Sequence, residues 1–196
     1  MGLYSFAKSV VKTIFKMKFK ITVLGTENVP KAGPVIVCAN HISNYDPPLV
    51  GITFPREIHF LAKEELFENK FLGALLRKLH AFPIKRGMRD RNALRQGLNV
   101  LKEGNVLGLF PEGTRSKTGE LKKGLAGAGF FALRSDAQIV PCAIIGSYES
   151  KKLLVVYGKP MNMDTFRAEK ANPQEVTDAI MDEIRKLKES HPLETI

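Results

Sequence analysis

Val35-Ile36-Val37-Cys38-Ala39-Asn40-His41-Ile42-Ser43-Asn44-Tyr45-Asp46-Pro47-Pro48 joins an unbroken apolar run to a polar turn that closes on an acid and two prolines. The run is short and β-branched, which is how a buried strand reads. Asp46 followed by Pro47 predicts a helix start, with Asp as N-cap and Pro at the first helical position. His41 then lies on the loop between strand and helix, where catalytic groups are often carried. A carboxylate accepting from one ring nitrogen would fix the tautomer of His41 and leave the other nitrogen as a general base. A capping acid beside an unrelated loop histidine would give the same spacing, so the rest of the chain has to decide.

Outward from this stretch, strand-like and helix-like segments alternate. Phe19 to Leu24, Glu57 to Ala62, His80 to Ile84, Val106 to Phe110, Ile139 to Ile145 and Leu153 to Tyr157 read as strands. Helical patterns fall at 47–53, 66–79, 90–103, 123–134 and 173–190, the second with Phe67, Phe71, Leu75 and Leu79 on one face. Such alternation indicates a single α/β domain with a largely parallel or mixed sheet flanked by helices. Residues 21–196 form this domain. Ahead of it, Leu3, Phe6, Ala7, Val10, Ile14 and Met17 recur at steps of three or four, with Lys8, Lys12 and Lys16 on another face. Residues 1–20 are thus a basic amphipathic helix suited to lie on an anionic membrane, though packing against the domain's own core would show the same period.

A length of 196 residues, 44% apolar, suits one ordinary globular domain. The formal charge of +10 points to an anionic partner. No nucleic-acid motif accompanies it. No run approaches the roughly 18 apolar residues a spanning helix needs, and no cleavage pattern marks a signal peptide. Cys38 and Cys142 both sit in apolar β-like runs and read as free buried thiols, consistent with a reducing compartment.

Two strand ends place arginines on loops, Arg86 after Phe82-Pro83-Ile84-Lys85 and Arg115 after Phe110-Pro111-Glu112-Gly113-Thr114. Loops beyond the carboxyl ends of strands converge on the ligand crevice of an open α/β sheet. Guanidinium groups there suit a phosphate, and Gly113 with the Thr114 hydroxyl could add donors. The glycines at 124, 127 and 129 lack the spacing of a nucleotide-binding loop; they are expected to let a helix approach the sheet closely. His59 reads as a packed or edge histidine, and no cluster has metal-ligand spacing.

In order, Asn40-His41 with Asp46, Phe82-Pro83-Ile84-Lys85-Arg86-Gly87, Phe110-Pro111-Glu112-Gly113-Thr114-Arg115-Ser116 and Ile139-Val140-Pro141-Cys142-Ala143-Ile144 resemble the four motifs of the glycerolipid acyltransferases, above all the bacterial 1-acyl-sn-glycerol-3-phosphate acyltransferase group. The resemblance implies transfer of a fatty acyl group from an acyl-CoA or acyl carrier protein thioester to lysophosphatidic acid, with no cofactor and no metal. His41 would be the base and Asp46 its partner. Lys63 would stabilise the oxyanion or reach the phosphate. Arg86, Glu112, Gly113, Thr114 and Arg115 would bind the glycerol phosphate, Glu112 ordering an arginine or a hydroxyl. Pro141 would shape the acyl or donor region. Lys85 stands where many members carry an acidic or hydroxyl residue. The basic helix would replace the long hydrophobic segment some members have, giving a peripheral or monotopic protein on the cytoplasmic face of a bacterial membrane. Another acceptor, such as glycerol 3-phosphate or a different lysophospholipid, fits the same motifs. A non-catalytic module binding anionic membranes is the competing class.

Overall fold

The computed structural model describes residues 2–85 and 90–193. Seven strands form one sheet: β1 (Lys20–Leu24), β2 (Val35–Ala39), β3 (Ile58–Lys63), β4 (Ala81–Ile84), β5 (Val106–Leu109), β6 (Gln138–Ser147) and β7 (Lys152–Tyr157). They lie in the order β1-β7-β6-β2-β5-β3-β4. Every pair is parallel except the β6–β7 hairpin. The helices are α1 (Leu3–Lys18), α2 (Asp46–Thr53), α3 (Lys70–Lys78), α4 (Arg91–Lys102), α5 (Gly127–Leu133), α6 (Asp164–Ala168) and α7 (Pro173–Ser190).

The apolar run at 35–39 is the central strand, with every residue 2% exposed or less. Its alternation feeds two cores. Val35, Val37 and Ala39 join Phe15 of α1 and Leu49, Val50 and Ile52 of α2 on one face. Ile36 and Cys38 join Leu101 of α4, Phe131 of α5 and Ile180 of α7 on the other. Since successive strand side chains point to opposite faces, an apolar run with no polar gap is what a strand covered on both sides requires.

Three expectations change. Residues 66–79 are not one helix: a 3-10 turn at Glu64–Phe67 precedes α3, and Asn69 caps α3 by accepting from the Phe71 and Leu72 N–H groups. The apolar face expected there packs only in part: Phe67 and Leu79 are half-buried, while Leu75 is exposed and Phe71 is 90% exposed. The helix expected at 123–134 shrinks to α5; Gly124 and Gly129 serve approach to α7 rather than to the sheet, and a Cβ on Gly127 would meet nothing within 4 Å. A Cβ on Gly129 would stand 1.9 Å from the Pro173 carbonyl oxygen, and one on Gly124 would strike Thr177 and Met181. Asp46, finally, is already helical and does not cap α2. Short α6 lies beyond what the pattern signalled.

After β2 the chain crosses by α2 to β3, on one side; after β5 it crosses by α5 to β6, in the opposite direction and over the other face. Neighbouring strands whose connections diverge in this way leave a crevice at their carboxyl ends. The loops at 40–45 and 110–126 border it.

Candidate active site

Asp46 belongs to the first turn of α2, with its carboxylate turned back over the loop it follows. Its Oδ2 accepts from the Ile42 and Ser43 N–H groups at 2.6 and 2.7 Å and lies 2.7 Å from Nδ1 of His41. Its Oδ1 accepts from the Tyr148 hydroxyl at 2.7 Å. The carboxylate is fully buried and His41 is 6% exposed. A carboxylate only accepts, so Nδ1 carries the hydrogen and Nε2 presents a lone pair. No other described group bonds Nε2. The imidazole stacks on Phe110, centroids 4.3 Å apart.

The stretch at 110–116 holds the backbone of the same histidine. Glu112 Oε1 accepts the His41 N–H at 2.8 Å, and the Ser116 N–H donates to the His41 carbonyl at 2.7 Å. Glu112 Oε2 accepts the Lys122 N–H at 3.1 Å. Buried at 4% exposure, Glu112 thus ties three segments together, and both its oxygens face backbone. Gly113 turns the loop at φ 67°, a conformation that L side chains rarely adopt. Thr114 and Arg115 project into solvent beyond it, and the Arg115 carbonyl accepts from Lys122 Nζ at 2.8 Å.

Lys63 ends β3 at the same carboxyl edge and is exposed. Pro141 is not on the rim: it is buried within β6 opposite Cys38, with its carbonyl accepting from the Gly158 N–H. Arg86 lies outside the described residues. Lys85 is paired with Glu64 at 3.6 Å. Cys38 is fully buried and its thiol is pushed up to about 12 by burial, which makes it core and not a nucleophile. His59 is half-buried, stacked on His80 away from this cluster. Among the described residues no group of three His, Cys, Asp or Glu side chains is placed to hold a metal ion.

Two contributors act through distant partners that no local spacing signals. Tyr148 reaches Asp46 from 102 positions away, and both burial and the neighbouring carboxylate keep its hydroxyl protonated far above the ordinary tyrosine range. Asn40 trades two hydrogen bonds with the Ile144 backbone, continuing the β2–β6 ladder by one step beyond Ala39. The buried imidazole of His41, the loop that carries Arg115 and the sheet crevice are thereby brought together.

Residues 20–145 match the sequence profile of the family described as Acyltransferase. The chain belongs to the acyltransferase family. It is 31% identical over 195 residues to the 1-acyl-sn-glycerol-3-phosphate acyltransferase of Bacillus subtilis (strain 168), spanning 94% of this chain and 96% of that protein. The protein of the same description in Borreliella burgdorferi is 29% identical over 178 residues, covering 85% of this chain and 71% of the relative. Among solved structures, the 1-acyl-sn-glycerophosphate (LPA) acyltransferase PlsC from Thermotoga maritima shares the fold, with a TM-score of 0.80 over 96% of this chain and 79% of that one at 24% identity. The chain is therefore an acyl-transferring enzyme. The matched stretch of this acyltransferase runs from β1 into β6 and contains His41, Asp46 and the 110–116 loop.

Proposed function

We propose that this acyltransferase moves a fatty acyl group from a thioester to the sn-2 hydroxyl of 1-acyl-sn-glycerol 3-phosphate, giving phosphatidic acid. The observation that carries the proposal is the double hold on His41. Its ring is fixed by Asp46 and Phe110, its backbone by the loop that presents Thr114 and Arg115. Nε2 takes the hydroxyl proton as the oxygen attacks the thioester carbonyl, and the Asp46 carboxylate offsets the charge that forms on the imidazole. The tetrahedral intermediate collapses with loss of the C–S bond, and the imidazolium returns the proton to the departing thiolate. The substrate alcohol is the nucleophile, so no acyl-enzyme is required.

Arg115, the Thr114 hydroxyl and Arg86 bind the phosphate, as guanidinium and hydroxyl donors do well. Glu112 braces the loops, each of its oxygens accepting a backbone N–H. Lys63, at the end of β3, steadies the oxyanion or the phosphate. The donor is acyl-CoA or the acyl carrier protein thioester. Among the described residues no helix is long and apolar enough to cross a membrane. Residues 1–20 attach the enzyme to the cytoplasmic surface through the apolar residues that α1 leaves exposed, with Lys12 and Lys16 facing anionic headgroups.

The test is acyl transfer to lysophosphatidic acid in anionic vesicles, with each thioester supplied separately and His41→Ala as control. Phosphatidic acid formed by the native enzyme alone supports the proposal. Product with glycerol 3-phosphate or another lysophospholipid, and none with lysophosphatidic acid, replaces the acceptor. Vesicle binding without turnover on any acceptor sinks the assignment.

A further inference from the structure

Apart from Leu24, Tyr45 and Leu125, the exposed large apolar side chains fall in two groups. On α1 they are Leu3, Phe6, Val10, Ile14 and Met17. A second group, Leu66, Phe71, Leu72 and Leu75, lies on α3 and the turn before it. Helices α4 and α7, which cover the other face of the sheet, present only polar and charged residues among their exposed positions. Scattered surface leucines need no explanation, but a helix turned inside out does. α3 buries Gly73 and holds Phe71 at 90% exposure, the reverse of an amphipathic helix packed on its own core.

α1 and α3 lie on the same side of the sheet. α2 and α3 carry successive parallel crossovers in one direction, β2 to β3 and β3 to β4, and right-handed crossovers in one direction place their helices on one face. α4 returns the opposite way and packs in the other core. α1 packs with α2 through Phe15 in the first core, and its Tyr4 ring stacks at 5.1 Å on His80, just beyond α3. α3 carries Lys70, Arg77 and Lys78, with Arg77 over the Phe67 ring, and α1 carries exposed Lys12 and Lys16 on another face from its apolar stripe, while Lys8 turns inward to donate to the Phe54 carbonyl. Glu64, Glu65 and Glu68 lie on the turn before α3, and Glu64 is paired with Lys85.

We infer that α3 is a second lipid-contacting element, which enters the headgroup boundary of an anionic bilayer by Phe71, Leu72 and Leu75 alongside α1. This inference rests on the membrane attachment proposed above for α1. Exposed apolar side chains on helices that also carry lysine and arginine fit a surface that is negative outside and apolar within. A single helix leaves the protein free to roll about its axis, whereas contact at two helices fixes one orientation.

The full chain has no tryptophan, so Phe71→Trp and Phe6→Trp each report one site. Both variants are titrated with vesicles of phosphatidylglycerol and phosphatidylcholine, with and without brominated acyl chains. A blue shift and bromine quenching of both tryptophans support the inference. A shift at position 6 alone overturns it while leaving the α1 proposal intact. A shift at position 71 alone removes the α1 contact and overturns the inferred paired attachment; a shift at neither overturns both. A blue shift at position 71 that grows with protein concentration and needs no vesicles assigns the face to a second copy instead. Phe71→Ser is expected to weaken vesicle partitioning about tenfold, with circular dichroism unchanged because the side chain packs on little.

Discussion

The Tyr148 hydroxyl donates to Oδ1 of Asp46 at 2.7 Å, and so completes the coordination of a carboxylate whose other oxygen holds His41 and two backbone N–H groups. Its ring lies against Phe19, which follows α1, and against Tyr45 in the His41 loop. Tyr148→Phe removes one bond to a buried charge and leaves the ring in place. The expected cost is about 1.5–3 kcal/mol of stability. Turnover should fall about tenfold with little change in the KM of the acceptor, because aiming of the base is lost and phosphate binding is not. Steady-state kinetics alongside urea unfolding tests this; an unchanged kcat removes Tyr148 from the positioning of Asp46.

Glu112 accepts a backbone N–H on each oxygen. In Glu112→Gln one of those acceptors becomes an NH2 group facing an N–H donor. Loss of about 1–3 kcal/mol and a marked fall in kcat are expected, since the fault lies next to His41. If the variant retains native stability and only its KM for the phosphate acceptor rises, Glu112 is a ligand contact and not a brace.

Arg115 is exposed at the rim, and its backbone is tied to Lys122. Arg115→Ala should leave folding intact and raise the KM for lysophosphatidic acid about tenfold or more, as loss of a charge-assisted phosphate contact does. Added salt should narrow the gap between native and variant. Equal KM values at low salt would exclude Arg115 from the phosphate site.

Gly113 has φ 67°, and a Cβ there would stand 2.6 Å from Leu125 Cδ1. Gly113→Ala is expected to destabilise by about 1 kcal/mol or more and to lower activity through the loop that holds His41. At Gly129 the obstacle is backbone, so Gly129→Ala should be worse, with poor recovery of folded protein. Thermal unfolding of the two variants ranks them; the reverse order would contradict the tight α5–α7 approach.

Burial pushes the Cys38 thiol up to about 12 and raises Cys142, Tyr148 and Tyr157 well above their ordinary values. The unfolded chain releases these protons from about pH 8.5 for thiols and about pH 10 for phenols, while the folded chain keeps them. The unfolded state then binds fewer protons, so stability is complete below about pH 8.5 and declines as pH rises above it. The urea midpoint should fall between pH 8 and pH 10.5, and Cys38→Ala should lessen the early part of the fall. A midpoint constant over that range would show that these groups are not buried in solution.

Local chemistry made much of this protein legible in the chain itself. The all-apolar run at 35–39 reads as a buried strand and is one covered on both faces, and the helical pattern at 173–190 becomes α7. The His41–Asp46 pair was readable because five residues of loop suffice to bring the two together. What the sequence could not determine was which way each apolar stripe faces. The residues of α3 have a helical period whether they meet a core or a membrane, and only the packing around Gly73 turned Phe71 outward. Nor could it show that Glu112 and Tyr148 serve the histidine, since hydrogen bonds spanning 71 and 102 positions exist only once the sheet has brought β2, β5 and β6 side by side. Residue spacing specifies contacts within a few turns of chain; contacts across strands are decided by sheet order, which tertiary packing alone sets.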